Sequence, residues 1–148
     1  MSTRTFTAAQ KQLLEGRLAS AMAAQPDWAK LAAQLRSMDG GGGSLIVATY
    51  EEDLGRLLDR GEDFSGRPVE LIPGQPSRCH ANSSKLYAQD RTLTLITGWA
   101  MSDDRIWRQH SWLVKPDSAL IETTEVRERY FGVALTPQEA LSFVFDNG

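Results

Sequence analysis

Between Thr92 and Thr124 the chain carries three strand-like runs joined by connections of only a few residues, and this limits the fold more than any other feature. Thr92-Leu93-Thr94-Leu95-Ile96-Thr97 is β-branched and alternating, as a half-buried strand requires. Ser102-Asp103-Asp104 makes a turn, and Ile106 to Val114 follows as a second strand. Lys115-Pro116-Asp117-Ser118 turns again into a third run, Ala119 to Thr124. Parallel neighbours need a crossover of roughly a dozen residues or more, so links this short predict an antiparallel meander.

The remainder reads mostly as helix. Thr7-Ala8-Ala9-Gln10 has the form of a capping box, and Leu13, Leu14, Leu18, Ala21 and Met22 recur at helical spacing behind it. Pro26 ends that helix or starts the next, in which Trp28, Leu31, Ala32 and Leu35 keep the period to about Met38. Gly40 to Gly43 cannot continue a helix and read as a flexible joint. No Gly-Lys-Ser or Gly-Lys-Thr follows them and no strand precedes them, which argues against a phosphate loop. The joint predicts a helical arm or hairpin over residues 1–39 and an α+β body over residues 44–148, together forming one unit.

Within that body, Thr49-Tyr50-Glu51-Glu52 is a second capping box, opening a helix with Leu54, Leu57 and Leu58 that stops near Gly61. Val69-Glu70-Leu71-Ile72 is a short strand closed by Pro73-Gly74. Cys79 to about Gln89 lacks Gly and Pro and makes three helical turns. Thr136-Pro137-Gln138-Glu139 combines an N-cap, proline at the first helical position and an acid at the third. The predicted class is α+β: a central helix starting at the cysteine, packed on a small antiparallel sheet, with an N-terminal helical arm.

With 148 residues, 41% apolar and 24% charged, the chain can bury one sizeable core and not two. A net charge of -3 argues against gripping a phosphate backbone, so no nucleic-acid partner is expected. No run approaches the ~18 apolar residues of a membrane span, and Met1 to Phe6 leads into no hydrophobic signal segment. One cysteine permits neither an intrachain disulfide nor a Cys-rich zinc cluster, which fits a reducing, cytoplasmic setting. Cys79, His80, His110 and Glu122 include metal-ligand types but lack a compact ligand repeat, so neither metal nor cofactor is expected. Nothing in the sequence marks an oligomeric state.

Cys79 falls where a helix should begin, and unpaired N–H groups at a helix start stabilise a thiolate, as a nearby imidazolium does more strongly. His110 lies on the second strand, sharing a face with Arg108, Trp112 and Val114. A partly buried imidazole needs a partner for its second nitrogen, and Glu122 on the next strand is the candidate. Glu122 could instead pair with Arg108 or Arg127. His80 adjoins Cys79 but is turned about 100° around the helix, a pocket wall at most. Gln75 and Asn82 are candidate donors to a developing oxyanion, beside the Cys79 backbone N–H. Trp99 and Trp112 are core aromatics or walls of a substrate pocket, and Arg127, Arg129 and Tyr130 could anchor an anionic group.

Cys79-His80-Ala81-Asn82, His110-Ser111-Trp112-Leu113-Val114 and Leu120-Ile121-Glu122-Thr123-Thr124 resemble, in that order, three blocks of the transglutaminase-like branch of the papain-like thiol enzymes. The resemblance spans roughly residues 74 to 125 and departs from the family in its glutamate, where aspartate is usual, and in lacking a tryptophan beside the cysteine. It implies Cys79 as nucleophile, His110 as base and then acid, and Glu122 as orienter, in acyl transfer from an amide or peptide bond. Hydrolysis, deamidation and transpeptidation would share these residues, with a peptide, a protein or a small amide as substrate. The alternative is a non-catalytic binding or adaptor domain that keeps a thiol-enzyme fold, with a protein partner docking on the helical arm.

Overall fold

The structure is a computed structural model that describes residues 6–47, 51 and 53–148. Among them the order is α1 (Ala8–Ala24), α2 (Trp28–Asp39), β1 (Ser44–Leu45), α3 (Leu54–Arg60), β2 (Glu62–Asp63) and β3 (Val69–Leu71). Then come α4 (Cys79–Gln89), β4 (Thr94–Met101), β5 (Ile106–Val114), β6 (Leu120–Glu122), β7 (Arg129–Ala134) and α5 (Pro137–Asn147).

Local chemistry sets most of these boundaries. At α1 the Thr7 hydroxyl accepts from the Gln10 N–H while the Gln10 side chain accepts from the Thr7 N–H, satisfying two orphan donors reciprocally. Thr136 and Glu139 form the same box at α5, with Pro137 just inside the helix. α2 ends at Gly40, whose φ of 81° is the left-handed turn that a helix stop favours. The Thr49–Glu52 capping box lies outside the described residues, apart from Glu51, as does the N-terminal stretch 1–5.

β4, β5 and β6 form the antiparallel meander, with Gly98 opposite His110 and Leu113 opposite Ile121. The sheet is larger than the sequence predicts, and it is mixed rather than antiparallel. Its order is β2-β7-β4-β5-β6-β3, with β1 beside β5 as well. β1 runs parallel to β5 and β3 parallel to β6, while β7 pairs antiparallel with the free edge of β4. Short links identify only consecutive partners. Long connections bring in β1 and β3, which at two and three residues are too brief to display alternation, while β7 follows β6 closely but passes over β5 to pair with β4.

Two of the five helices among the described residues, α1 and α2, build the floor under the sheet from the N-terminal end. Leu18, Trp28, Leu31 and Leu35 share a buried cluster with Leu45, Trp99, Trp107, Leu113 and Val133. Alternation along the strands sends Phe64, Ile96, Trp112, Leu120 and Tyr130 into a second cluster on the opposite face. The glycine run has a defined shape: Asp39 accepts from the Gly41 N–H at 2.7 Å and from Trp107 Nε1 at 2.7 Å, fastening the end of α2 to β5. A side chain at Gly43 would collide with that Asp39 carboxylate, so glycine is required there. Among the described residues, no helix is long and apolar enough to cross a membrane.

Candidate functional site

β1 pairs with β5 only at Ile106 and Trp107, and β6 pairs with it only at Leu113 and Val114. Between them, no strand among the described residues pairs with Arg108 to Trp112 on that edge, and α4 packs against β5 through the His80–Ser111 contact. The loop ahead of α4 is held tightly. Gly74 N–H donates to the Thr123 carbonyl, and Asn82 grips Gln75 twice, accepting from its N–H at 3.0 Å and donating to its carbonyl at 2.9 Å. Ser77 takes a φ of 59°, a left-handed conformation costing roughly 1 kcal/mol that turns the chain into Cys79. Cys79 and His110 line one cavity of about 500 Å³, bordered by Pro73, Pro76, Gln109 and Arg127.

His110 is almost wholly buried, and its Nε2 lies 2.8 Å from Glu122 Oε1. Glu122 is fully buried yet well solvated by the protein. Its Oε1 also accepts from the Tyr130 hydroxyl at 2.9 Å, and its Oε2 accepts from the N–H groups of Thr123 and Thr124 and from the Thr124 hydroxyl. Burial alone would raise the Glu122 pKa; His110, the Thr124 backbone and the charge of Arg127 outweigh it and hold the carboxyl low. The neighbouring Tyr130 is pushed the other way, by burial first and then by the Glu122 charge. Trp112 stacks on His110 with ring centroids 5.9 Å apart. Neither Arg108 nor Arg127 takes Glu122 as its ion-pair partner; Arg108 is bound to Asp104.

The thiol is half-buried, and burial by itself would raise its pKa. The His110 and His80 imidazoles reverse that and bring it down to about 5. For His110 burial pulls downward, but Cys79 and Glu122 outweigh it and raise its pKa. The side chain within hydrogen-bond range of sulfur is His80, whose Nδ1 lies 3.8 Å from Sγ. His110, across the same cavity, is the larger of the two influences that lower the thiol. His80 is therefore more than a pocket wall. Ser111 Oγ, 2.7 Å from the same Nδ1, and the edge of Phe143 hold the ring beside the sulfur, overcoming the angular offset along the helix.

The other expected residues lie elsewhere in the network. Asn82 and Gln75 are engaged with each other. Trp112 packs beneath His110, and its buried Nε1 has no hydrogen-bond partner. Trp99 is fully buried on the opposite face, edge-on to Trp28, and donates to the buried Glu51 carboxylate at 2.9 Å. Three contributors take roles the sequence reading did not give them: His80, expected as a pocket wall at most, Tyr130, expected as a possible anchor for an anionic group, and Ser111, which was given none. The alternating Arg129-Tyr130-Phe131-Gly132-Val133 would have marked a strand and put Tyr130 on one face of it.

No family model matches the chain, and no curated protein or solved structure matches it either. The expected membership of the transglutaminase-like and papain-like enzymes is thereby corrected, together with the papain-like core. The three blocks are short, and ordinary strand and helix patterning produces them without kinship. The hydrolase, protease and acyltransferase readings rested on that kinship and are corrected with it. The alternative of an adaptor retaining a thiol-enzyme fold falls with the same comparison. Among the described residues no three His, Cys, Asp or Glu side chains are grouped so as to hold a metal ion.

Proposed function

We propose that this chain is a thiolate-bearing protein whose Cys79 captures small electrophiles stoichiometrically, with His80 and His110 stabilising the anion and Glu122 holding His110. The observation that carries this reading is a half-buried thiol with a pKa of about 5, beside two imidazoles and a cavity of about 500 Å³. A thiol with that pKa is almost entirely ionised at neutral pH, whereas a free cysteine is a few per cent thiolate. The sulfur would displace a leaving group from a carbon electrophile: a carbon–sulfur bond forms, the bond from carbon to the leaving group breaks, and that group departs to solvent as an anion. With one cysteine in the chain, the adduct has no second internal thiol to resolve it.

A reducing, cytoplasmic setting would preserve such a thiol, and we place the protein there. We further propose that residues 1–39 act as an arm braced on a body of residues 44–148, with any protein partner meeting the exposed Leu13 side of α1. The test of the thiolate is the pH profile of its alkylation by iodoacetamide. The rate should be half-maximal near pH 5 and flat from about pH 6 to 8, against a midpoint near 8.5 for a free thiol. His110→Ala should move the midpoint up by at least one pH unit. A wild-type midpoint above about 8 would sink the proposal.

A further inference from the structure

A second cavity, about 720 Å³, lies between the sheet and α5, and Gln109 belongs to its wall as well as to that of the thiol cavity. Its wall is polar, and the polar groups are mostly of one kind. Gln109 commits its amide N–H to the buried Glu51 carboxylate at 3.0 Å, and Asn147 commits its own to the Phe143 carbonyl at 2.9 Å. Each is left with its side-chain oxygen as the unengaged end, an acceptor.

Thr97 is the most buried polar side chain in the wall, 4% exposed. The hydroxyls of Ser83, Ser84 and Thr123 are sealed from solvent without a partner; that of Thr97 is not so sealed, and no hydrogen bond among the described residues uses it. The cavity is the space onto which it opens. His80 lines the cavity too: its Nδ1 is turned to Ser111 and the sulfur, while its Nε2 makes no hydrogen bond. Carboxylates complete the wall. Asp53 and Glu139 hold Arg56 between them at 3.0 Å each, and Glu139 also takes Arg60 at 2.8 Å. With the exposed Asp146, acids outnumber cations among the described residues of the wall.

We propose that this cavity binds a small primary ammonium carried on a short apolar stem. Its three N–H donors would be met from the acceptors of Thr97, Gln109, Asn147 and the neutral His80 ring. The stem would lie against Leu135 and Phe143, the apolar part of the wall. An alcohol brings a single donor to the same acceptors, and an anion meets carboxylates and one arginine that is already paired. The site does not depend on Cys79 being reactive.

Calorimetric titration of the full chain at about pH 8, where an alkylamine keeps its proton, tests this. The probes are n-butylammonium, 1-butanol, which lacks the charge, and butyltrimethylammonium, which keeps the charge and lacks N–H donors. Butylammonium should bind at least tenfold more tightly than either. Thr97→Val keeps the shape of the side chain and removes only its unpaired hydroxyl; it should weaken butylammonium at least fivefold, and Thr97→Ser should retain binding. Asp146→Asn removes an exposed charge and should retain the preference, and the thermal unfolding midpoint of each variant reports whether it has folded. No binding of butylammonium, equal affinity for either control, or a preference unchanged in folded Thr97→Val would each overturn the proposal. So would a preference that Asp146→Asn abolishes, which would reduce it to attraction by a surface charge.

Discussion

At the residue scale, the Cys79 thiol and the His110 imidazole titrate as one unit, and the pH dependence of stability follows from their shared protons. Unfolded at pH 7, Cys79 holds its proton and His110 is neutral. Folded, the proton sits on His110 and the sulfur is ionised, so the pair binds one proton in either state. Cys79 is depressed from 9.0 to about 5, so its contribution is lost as pH falls through that value, beginning once the unfolded histidine charges near 6.5. The raised His110 contributes oppositely: above about pH 9 the unfolded chain has released both protons while the folded pair keeps one, and stability declines. Urea midpoints should therefore be level from about pH 6.5 to 9 and fall on both sides, and Cys79→Ala should flatten the acid-side fall between pH 5 and 6.5. Glu122→Ala leaves His110 and Tyr130 without their acceptor in the interior, and should cost about 3–5 kcal/mol in denaturant unfolding.

At the element scale, the start of α4 is held by one clamp. Asn82 fastens Gln75, and a side chain added at Gly74 would strike the Asn82 amide. Asn82→Ala should cost about 1 kcal/mol and speed hydrogen exchange through residues 73–78. Gly74→Ala disrupts the same contact from the other side, so the double variant should lose less than the sum of the two singles. On the sheet, Gly132 leaves room for Trp112: a Cβ there would sit 2.8 Å from the indole edge. Gly132→Ala should force the ring that stacks on His110, cost about 1–3 kcal/mol, and shift the thiol alkylation midpoint without touching sulfur.

At the scale of the whole molecule, the N-terminal helices form the underside of the sheet. Trp28 packs edge-on against Trp99 at 5.6 Å, and Asp39 accepts from Trp107 across sixty-eight positions of chain. Removing residues 1–39 would expose Leu45, Trp99 and Trp107 together. The truncated chain should lose cooperative thermal unfolding by circular dichroism, while Asp39→Ala in the intact chain should cost about 1–3 kcal/mol. Retained cooperativity after truncation would show that the body carries its own complete core.

Local order was legible because its causes are local. The Thr7 and Thr136 capping boxes, Pro137 at a helix start, the turn at Pro73-Gly74 and the period-two run from Ile106 to Val114 act within a few residues of themselves. Those signals located α4 at Cys79 and put His110 and Glu122 on adjacent strands, where their side chains do meet. What sequence could not supply was pairing at a distance. Whether β1 and β3 run parallel to their neighbours, and that β7 closes the other edge of β4, depends on where long connections return. The same return leaves Arg108 to Trp112 paired with β4 on one edge and with no strand among the described residues on the other, where His80 of α4 meets Ser111. Tertiary contact alone brought Ser111 up to His80 and thereby turned that ring to the sulfur. The sequence by itself determined which elements hold Cys79, His110 and Glu122. Only the tertiary structure decided that Ser111 turns the adjacent His80 ring to the sulfur and that His110 is buried against Glu122, because those partners lie far apart along the chain.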